Sequence, residues 1–221
     1  MGGAACWQFA VHYSDRWFAA NPGAGFAETP QFLKIFQTET LTPTWYERVL
    51  WRLYDCPGYA INLLHCPTVA YSGEIDTQKQ AADVMEQTLA KEGIDLEHII
   101  GPQTKHKYHP DSTAAVERRM ASIAVNGRER LPRHVEFATF TLRYNPQAWV
   151  TLQGLNEHWK QARIIARIVD DRHVAATTDN ISDLEFSIPA GWCPMDITER
   201  IHVKLDDQVL IASRPKSDRS W

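Results

Sequence analysis

Asp76 and His106 are the side chains in this sequence whose types and spacing could do acid–base chemistry together. Each stands in a short loop after an apolar run that closes on glycine. Cys66 to Gly73 precedes Asp76, and Leu96 to Gly101 precedes His106. A carboxylate that holds one imidazole nitrogen sets the tautomer. The other nitrogen can then take a proton from a hydroxyl and return it to a leaving group. His109, three residues beyond His106, is an alternative base. The plain alternative makes Asp76 a helix cap and His106 a solvated loop residue. A metal reading uses His106, His109, His98 and Asp76, all zinc-ligand types. Pro110 and the polar loop composition of 103–110 place these histidines off any regular helix. No metal and no cofactor is assigned.

A hydroxyl or thiol nucleophile is harder to find. Ser72 is the serine nearest Asp76, but it lacks the preceding glycine and the following small-residue pattern of a nucleophile turn, and reads as structural. Cys6, Cys56, Cys66 and Cys193 form no CxxC pair and no zinc spacing. Free, buried thiols are the expectation for them.

The elements that must position Asp76 and His106 follow from the hydrophobic pattern. A helix is expected from the first residues to about Tyr13, and a strand at Trp17–Asn21 before the Pro22-Gly23 turn. Two short helices are expected at 30–38 and 43–54, in a stretch dense in aromatic residues, which serve either as cap packing or as the lining of a substrate cleft. A strand ends at Gly73, a helix spans Thr77–Glu92 with Gly93 as its stop, a strand ends at Gly101, and a helix covers 112–126. Alternation of this kind builds a parallel sheet flanked by helices, with ligands beyond the carboxyl ends of its strands. From about Leu131 short β-rich runs replace it: 134–142, 149–152, 163–169, 173–178, 184–188, 201–205 and 209–212. These read as a small antiparallel sandwich or barrel, its last two strands joined at Asp206-Asp207. The expected fold class is therefore α/β in residues 1–128, followed by an all-β domain in 129–221.

Strand, Asp loop, helix, strand, His loop, helix is also the chain order of the second half of an α/β-hydrolase, whose triad runs Ser, Asp, His. Its serine stands in Gly-x-Ser-x-Gly at a strand-to-helix turn. Met1-Gly2 followed by Gly3-Ala4-Ala5 and a helix fits the part after that serine. Met1-Gly2-Gly3-Ala4, Ser72-Gly73-Glu74-Ile75-Asp76 and the run from Gly101 to Pro110 resemble the catalytic domain of prolyl oligopeptidase-like serine hydrolases. The resemblance is to large bacterial members whose hydrolase domain is followed by a β-rich region. Phe140 to Asn145 and Trp149 resemble the opening of that region. The resemblance implies Asp76 and His106 as triad members, His106 ahead of His109 as the base, and the Met1 backbone as an oxyanion donor. It implies a peptide or ester substrate. It also places the nucleophile immediately before Met1, so that the chain is expected to be a truncated hydrolase, inactive as it stands.

Composition narrows the classes. The chain has 221 residues, 44% apolar and 23% charged, with a formal net charge of −4. These are values for a globular protein. The acidic excess lies in residues 1–110. Without a Lys/Arg block, nucleic acid is not an expected partner. No apolar run approaches the roughly 18 residues of a membrane span, and the N-terminus lacks the basic start of a signal peptide. Compartment and oligomeric state stay open. The alternative function is a non-catalytic binding protein whose β-rich part contacts a partner or a carbohydrate, the latter through His158-Trp159-Lys160 or Trp192.

Overall fold

Val69-Ala70-Tyr71-Ser72-Gly73 forms β1, buried along its whole length, as a strand covered on both faces must be. It pairs in parallel with β2 (Glu97–Gly101), from Val69 opposite Glu97 to Gly73 opposite Gly101. The two strands thus end on glycine at one edge, and the loops that carry Asp76 and His106 leave from that edge. The structure is a computed structural model describing residues 2–221. Among the described residues it is a mixed α/β protein with three sheets, and its chain divides into two compact units, 1–128 and 129–221.

In the first unit α1 (Gly2–His12) buries Trp7, Ala10, Val11 and His12. The expected strand at Trp17–Asn21 is not one. The chain at 20–24 does run beside β1, through single parallel bridges of Ala20 to Thr68 and Gly23 to Tyr71. Pro22 has no N–H to continue a ladder, which accounts for the interruption. Next come α2 (Thr29–Gln31), which runs into a π-helical turn at Phe32–Phe36, and α3 (Trp45–Trp51). The Glu47 carboxylate accepts from both the N–H and the hydroxyl of Thr44, closing the start of α3. Phe26, Phe32, Phe36 and Tyr54 gather as ring pairs, whereas Trp45 is 77% exposed. A segment without a clear helical or strand period, Pro57–His65, forms a 3₁₀ helix whose Tyr59 to Leu63 are buried. After a 3₁₀ turn at Thr77–Lys79 comes α4 (Gln80–Lys91), its buried face made of Gln80, Ala81, Ala82, Met85 and Leu89. Gly93 follows with positive φ. Then α5 (Pro110–Asn126) starts two residues earlier than the sequence predicts, with Pro110 in its first turn.

The second unit has β3 (His134–Thr139), β4 (Pro146–Gln147), β5 (Val150–Leu155), β6 (Ala162–Ile168), β7 (His173–Asp179), β8 (Ile181–Phe186), β9 (Ile201–Leu205) and β10 (Gln208–Ala212). One sheet has the order β10-β9-β7-β6-β3, the other β4-β5-β8. Period-two burial in β6, with Ala162, Ile164, Ala166 and Ile168 inward, meets Val150, Leu152 and Trp149 in one shared core. The pairing is not wholly antiparallel: β7 and β9 run parallel. Between them the chain leaves for β8 in the other sheet and returns through 187–200, which lets β9 enter in the direction of β7. The β9–β10 hairpin turns at Asp206-Asp207, Asp206 having positive φ.

Among the described residues no helix is long and apolar enough to cross a membrane.

Candidate active site

Asp76 divides its carboxylate between two tasks. Oδ1 accepts the backbone N–H of Gln78 at 2.9 Å, capping the 3₁₀ turn. Oδ2 lies 2.8 Å from Nδ1 of His106. A carboxylate only accepts, so the proton between them belongs to Nδ1, and in the neutral imidazole Nε2 carries the lone pair. The Asp76 side chain is 4% exposed and the His106 side chain 57% exposed. The acid is therefore held inside while the base faces outward. Among the described residues no hydrogen bond reaches His106 Nε2. The two sequence alternatives for Asp76, cap and orienter, are one arrangement using different oxygens.

The loop that presents His106 is tied down along its length. Gly73 makes this possible: a Cβ there would overlap the carbonyl oxygens of Thr104 and Lys105. Ile75 N–H donates to Thr104 O, and Glu74 N–H to Gly101 O. The Glu74 carboxylate accepts from the backbone and side chain of Gln103. His106 then sits at the apex of a tight turn closed by Lys107 N–H to Lys105 O at 2.7 Å. His109 lies elsewhere. Its Nδ1 accepts from Asp111 N–H at the start of α5, and its backbone carbonyl accepts from Thr113. The geometry gives it a helix cap.

A hollow of about 110 Å³ beside the pair is lined by Gly23, Ala24, Tyr71, Asp76, His106, Lys107 and Tyr108. Its Gly23–Ala24 side packs on the first turn of α1, where a Cβ on Gly3 would overlap both carbonyl oxygens. The start of α1 thus adjoins the wall of the hollow that His106 faces. This close approach is made at Gly3; around Gly2 the space is open. Met1, the oxyanion donor implied by the resemblance, lies outside the described residues.

The serine and cysteines take other places. His98 is not near His106. Its Nε2 stands 3.0 Å from Ser72 Oγ, and its Nδ1 3.4 Å from Glu86 Oε2 and 3.9 Å from Asp83 Oδ1. Serine, imidazole and carboxylate are here in triad order, but Ser72 is fully buried and the His98 side chain only 4% exposed. A substrate carbonyl has no access to that hydroxyl, so Ser72 serves the interior. Asp83 is paired with Lys79. The zinc set weighed from the sequence is not brought together, since His98 stands with Asp83 and Glu86 instead. All four cysteines are free, with Cys6 only partly buried. Burial pushes the Cys66 thiol up to about 12, with Cys6 adding to the shift. Burial also raises Cys6 and Cys56. Thiols of this kind are poor nucleophiles near neutral pH.

Sequence reasoning missed Tyr71, Tyr108 and Asn21. The Tyr71 hydroxyl donates to Lys107 O at 3.0 Å and accepts from His109 N–H at 2.8 Å. Its ring stacks on Tyr108, centroids 4.1 Å apart. Tyr108 Oη–H donates to Asn21 Oδ1, and Asn21 Nδ2–H donates to Val69 O on β1. Burial first, then Cys6 and Tyr71, raise the Tyr108 hydroxyl above its ordinary range, so it stays a donor. No local motif marks these residues, because each bond spans 36 residues or more.

In the second unit, Arg130 lies over the Trp192 ring at 5.4 Å from its centroid, covering a face that a sugar would stack on. Neither family models nor curated proteins yield a match to this chain. The functional reading therefore rests on the site itself.

Proposed function

We propose that residues 1–128 are the C-terminal part of an α/β-hydrolase catalytic domain and carry the acid and base of a Ser-Asp-His triad, with Asp76 as orienter and His106 as base. The β-rich unit is then the sandwich-like domain that follows it in prolyl oligopeptidase-like hydrolases. The observation that carries the reading is the 2.8 Å pair of a buried Asp76 with an outward-facing His106. It is supported by the position of the pair after two parallel strands, where α/β sheets bind ligands. The start of α1 packs on the Gly23–Ala24 wall of the same hollow, the neighbourhood in which the reading puts the nucleophile turn. On this reading the attacking serine is the residue that precedes Met1. His106 Nε2 takes its proton as it attacks a peptide or ester carbonyl. The imidazolium, held by Asp76, then protonates the leaving group.

The 221-residue chain should not hydrolyse p-nitrophenyl acetate above background. The chain extended by its own upstream codons should do so. In the extended chain His106→Ala and Asp76→Asn should each lower the rate by orders of magnitude, roughly 10⁴-fold for the wrong-tautomer Asn by analogy with serine proteases. His109→Ala should cost far less. An extended chain that is inert, or active without His106, would overturn the reading.

One observation favours a second reading, a non-catalytic binding protein. The edge strand β10 exposes Val209, Leu210 and Ile211 beside a groove of about 640 Å³ that Leu184 and Phe186 of β8 also line. Unpaired apolar edges are pairing surfaces. On that reading the extended chain stays inert toward the ester.

A further inference from the structure

We propose that Tyr71 is a positioning residue for His106, and that Tyr108 and Asn21 complete the clamp it belongs to. The inference rests on the reading of His106 as the base. Its own observations are independent of any nucleophile. His106 is more than half exposed, at the apex of a tight turn, and one side-chain bond holds its ring. An exposed ring on a loop exchanges rotamers quickly unless its backbone is fixed.

The fixing comes from β1. The Tyr71 hydroxyl grips the loop on both sides of Tyr108, donating to the carbonyl of Lys107 and accepting from the N–H of His109. Gly101 leaves the room for this: a Cβ on it would overlap the Tyr71 hydroxyl. The stacked Tyr108 ring then reaches Asn21, which is itself bonded to Val69 O. The circuit therefore closes from β1 to the loop, from the loop to 20–24, and back to β1. Gly23 and Ala24, next in that segment, pack on the start of α1. One hydroxyl thus sets the loop next to His106, and the Tyr108–Asn21 bond registers that loop against the part of the fold that meets α1. Displacement of a catalytic group by about 1 Å can cost about 10²-fold in rate.

The test uses the 221-residue chain, with ¹⁵N-labelled histidine, and reads the Nδ1–H resonance of His106. Asp76→Asn assigns the resonance by removing it. Tyr71→Phe keeps the ring and the stack and removes only the hydroxyl. It should broaden or abolish that resonance, while the circular dichroism spectrum is retained. Should Tyr71→Phe fail to fold, Tyr108→Phe, at a partly exposed ring, is read in the same way and should weaken the same resonance. His106 signals that superimpose on the wild type in a folded variant would overturn the proposal. In the extended chain Tyr71→Phe should lower kcat about 10²-fold with little change in KM. An inert wild-type extended chain would defeat the hydrolase reading, while the resonance test would still stand or fall by itself.

Discussion

Asp76 can be singled out in the sequence because it follows a strand that closes on glycine, and His106 for the same reason. That the two meet at 2.8 Å is a tertiary fact, produced by the parallel register of β1 with β2. His98 shows the limit of such reading: its partners Ser72 and Glu86 lie 26 and 12 residues away, and neither spacing has a signature. Two further groups, one buried and one half-buried, have consequences for stability. Burial pushes the His12 imidazole down to about 4 from its ordinary 6.5. Its contribution is complete above pH 6.5 and is lost as pH falls toward 4. Burial pushes Asp55 up to about 6 from 3.8, against the opposing hydrogen bonds from Thr29. Its contribution is complete below pH 3.8 and is lost as pH rises through 6. Between about pH 4 and pH 6 the two oppose each other. Asp55→Asn keeps an oxygen for Thr29 and removes the second effect, so its melting temperature should climb with pH across this window more steeply than that of the wild type. Parallel curves for the two proteins would contradict the assignment.

Helices α4 and α5 are legible because their apolar faces and the Gly93 stop are local signals, whereas Pro110, grouped with the loop in the sequence, stands in the first turn of α5. The strands β6 and β7 are legible from alternation. Three features are not. The 3₁₀ helix at Pro57–His65 has neither a 3.6 nor a 2 period. The segment 17–21 carries strand-like residues, but the chain meets β1 only through single bridges on either side of Pro22. The parallel entry of β9 beside β7 depends on β8 crossing to the other sheet, which no stretch of sequence encodes alone. The junction of β1 with the His106 loop gives the sharpest test of element packing. Gly73→Ala would drive a methyl group into the backbone carbonyls of Thr104 and Lys105, and backbone cannot move aside cheaply. It should destabilise the first unit by about 1–3 kcal/mol, the usual cost of overpacking. It should also weaken the His106–Asp76 bond. An unchanged denaturant midpoint would mean that the loop has more room than the geometry gives it.

The molecule as a whole has two cores built on different periods. The first gathers helices on a buried parallel strand; the second joins two sheets through Trp149, Ile164 and their neighbours. The hydrophobic pattern changes near Leu131, and the chain divides into compact units at 128/129. On the hydrolase reading, the residue that His106 serves stands before Met1, ahead of α1. The most direct measurement is therefore labelling of the upstream-extended chain with a fluorophosphonate, followed by peptide mass spectrometry. The account predicts one adduct, on a serine immediately before Met1-Gly2-Gly3, formed far more slowly in His106→Ala. An adduct on any other residue, or none, would contradict it.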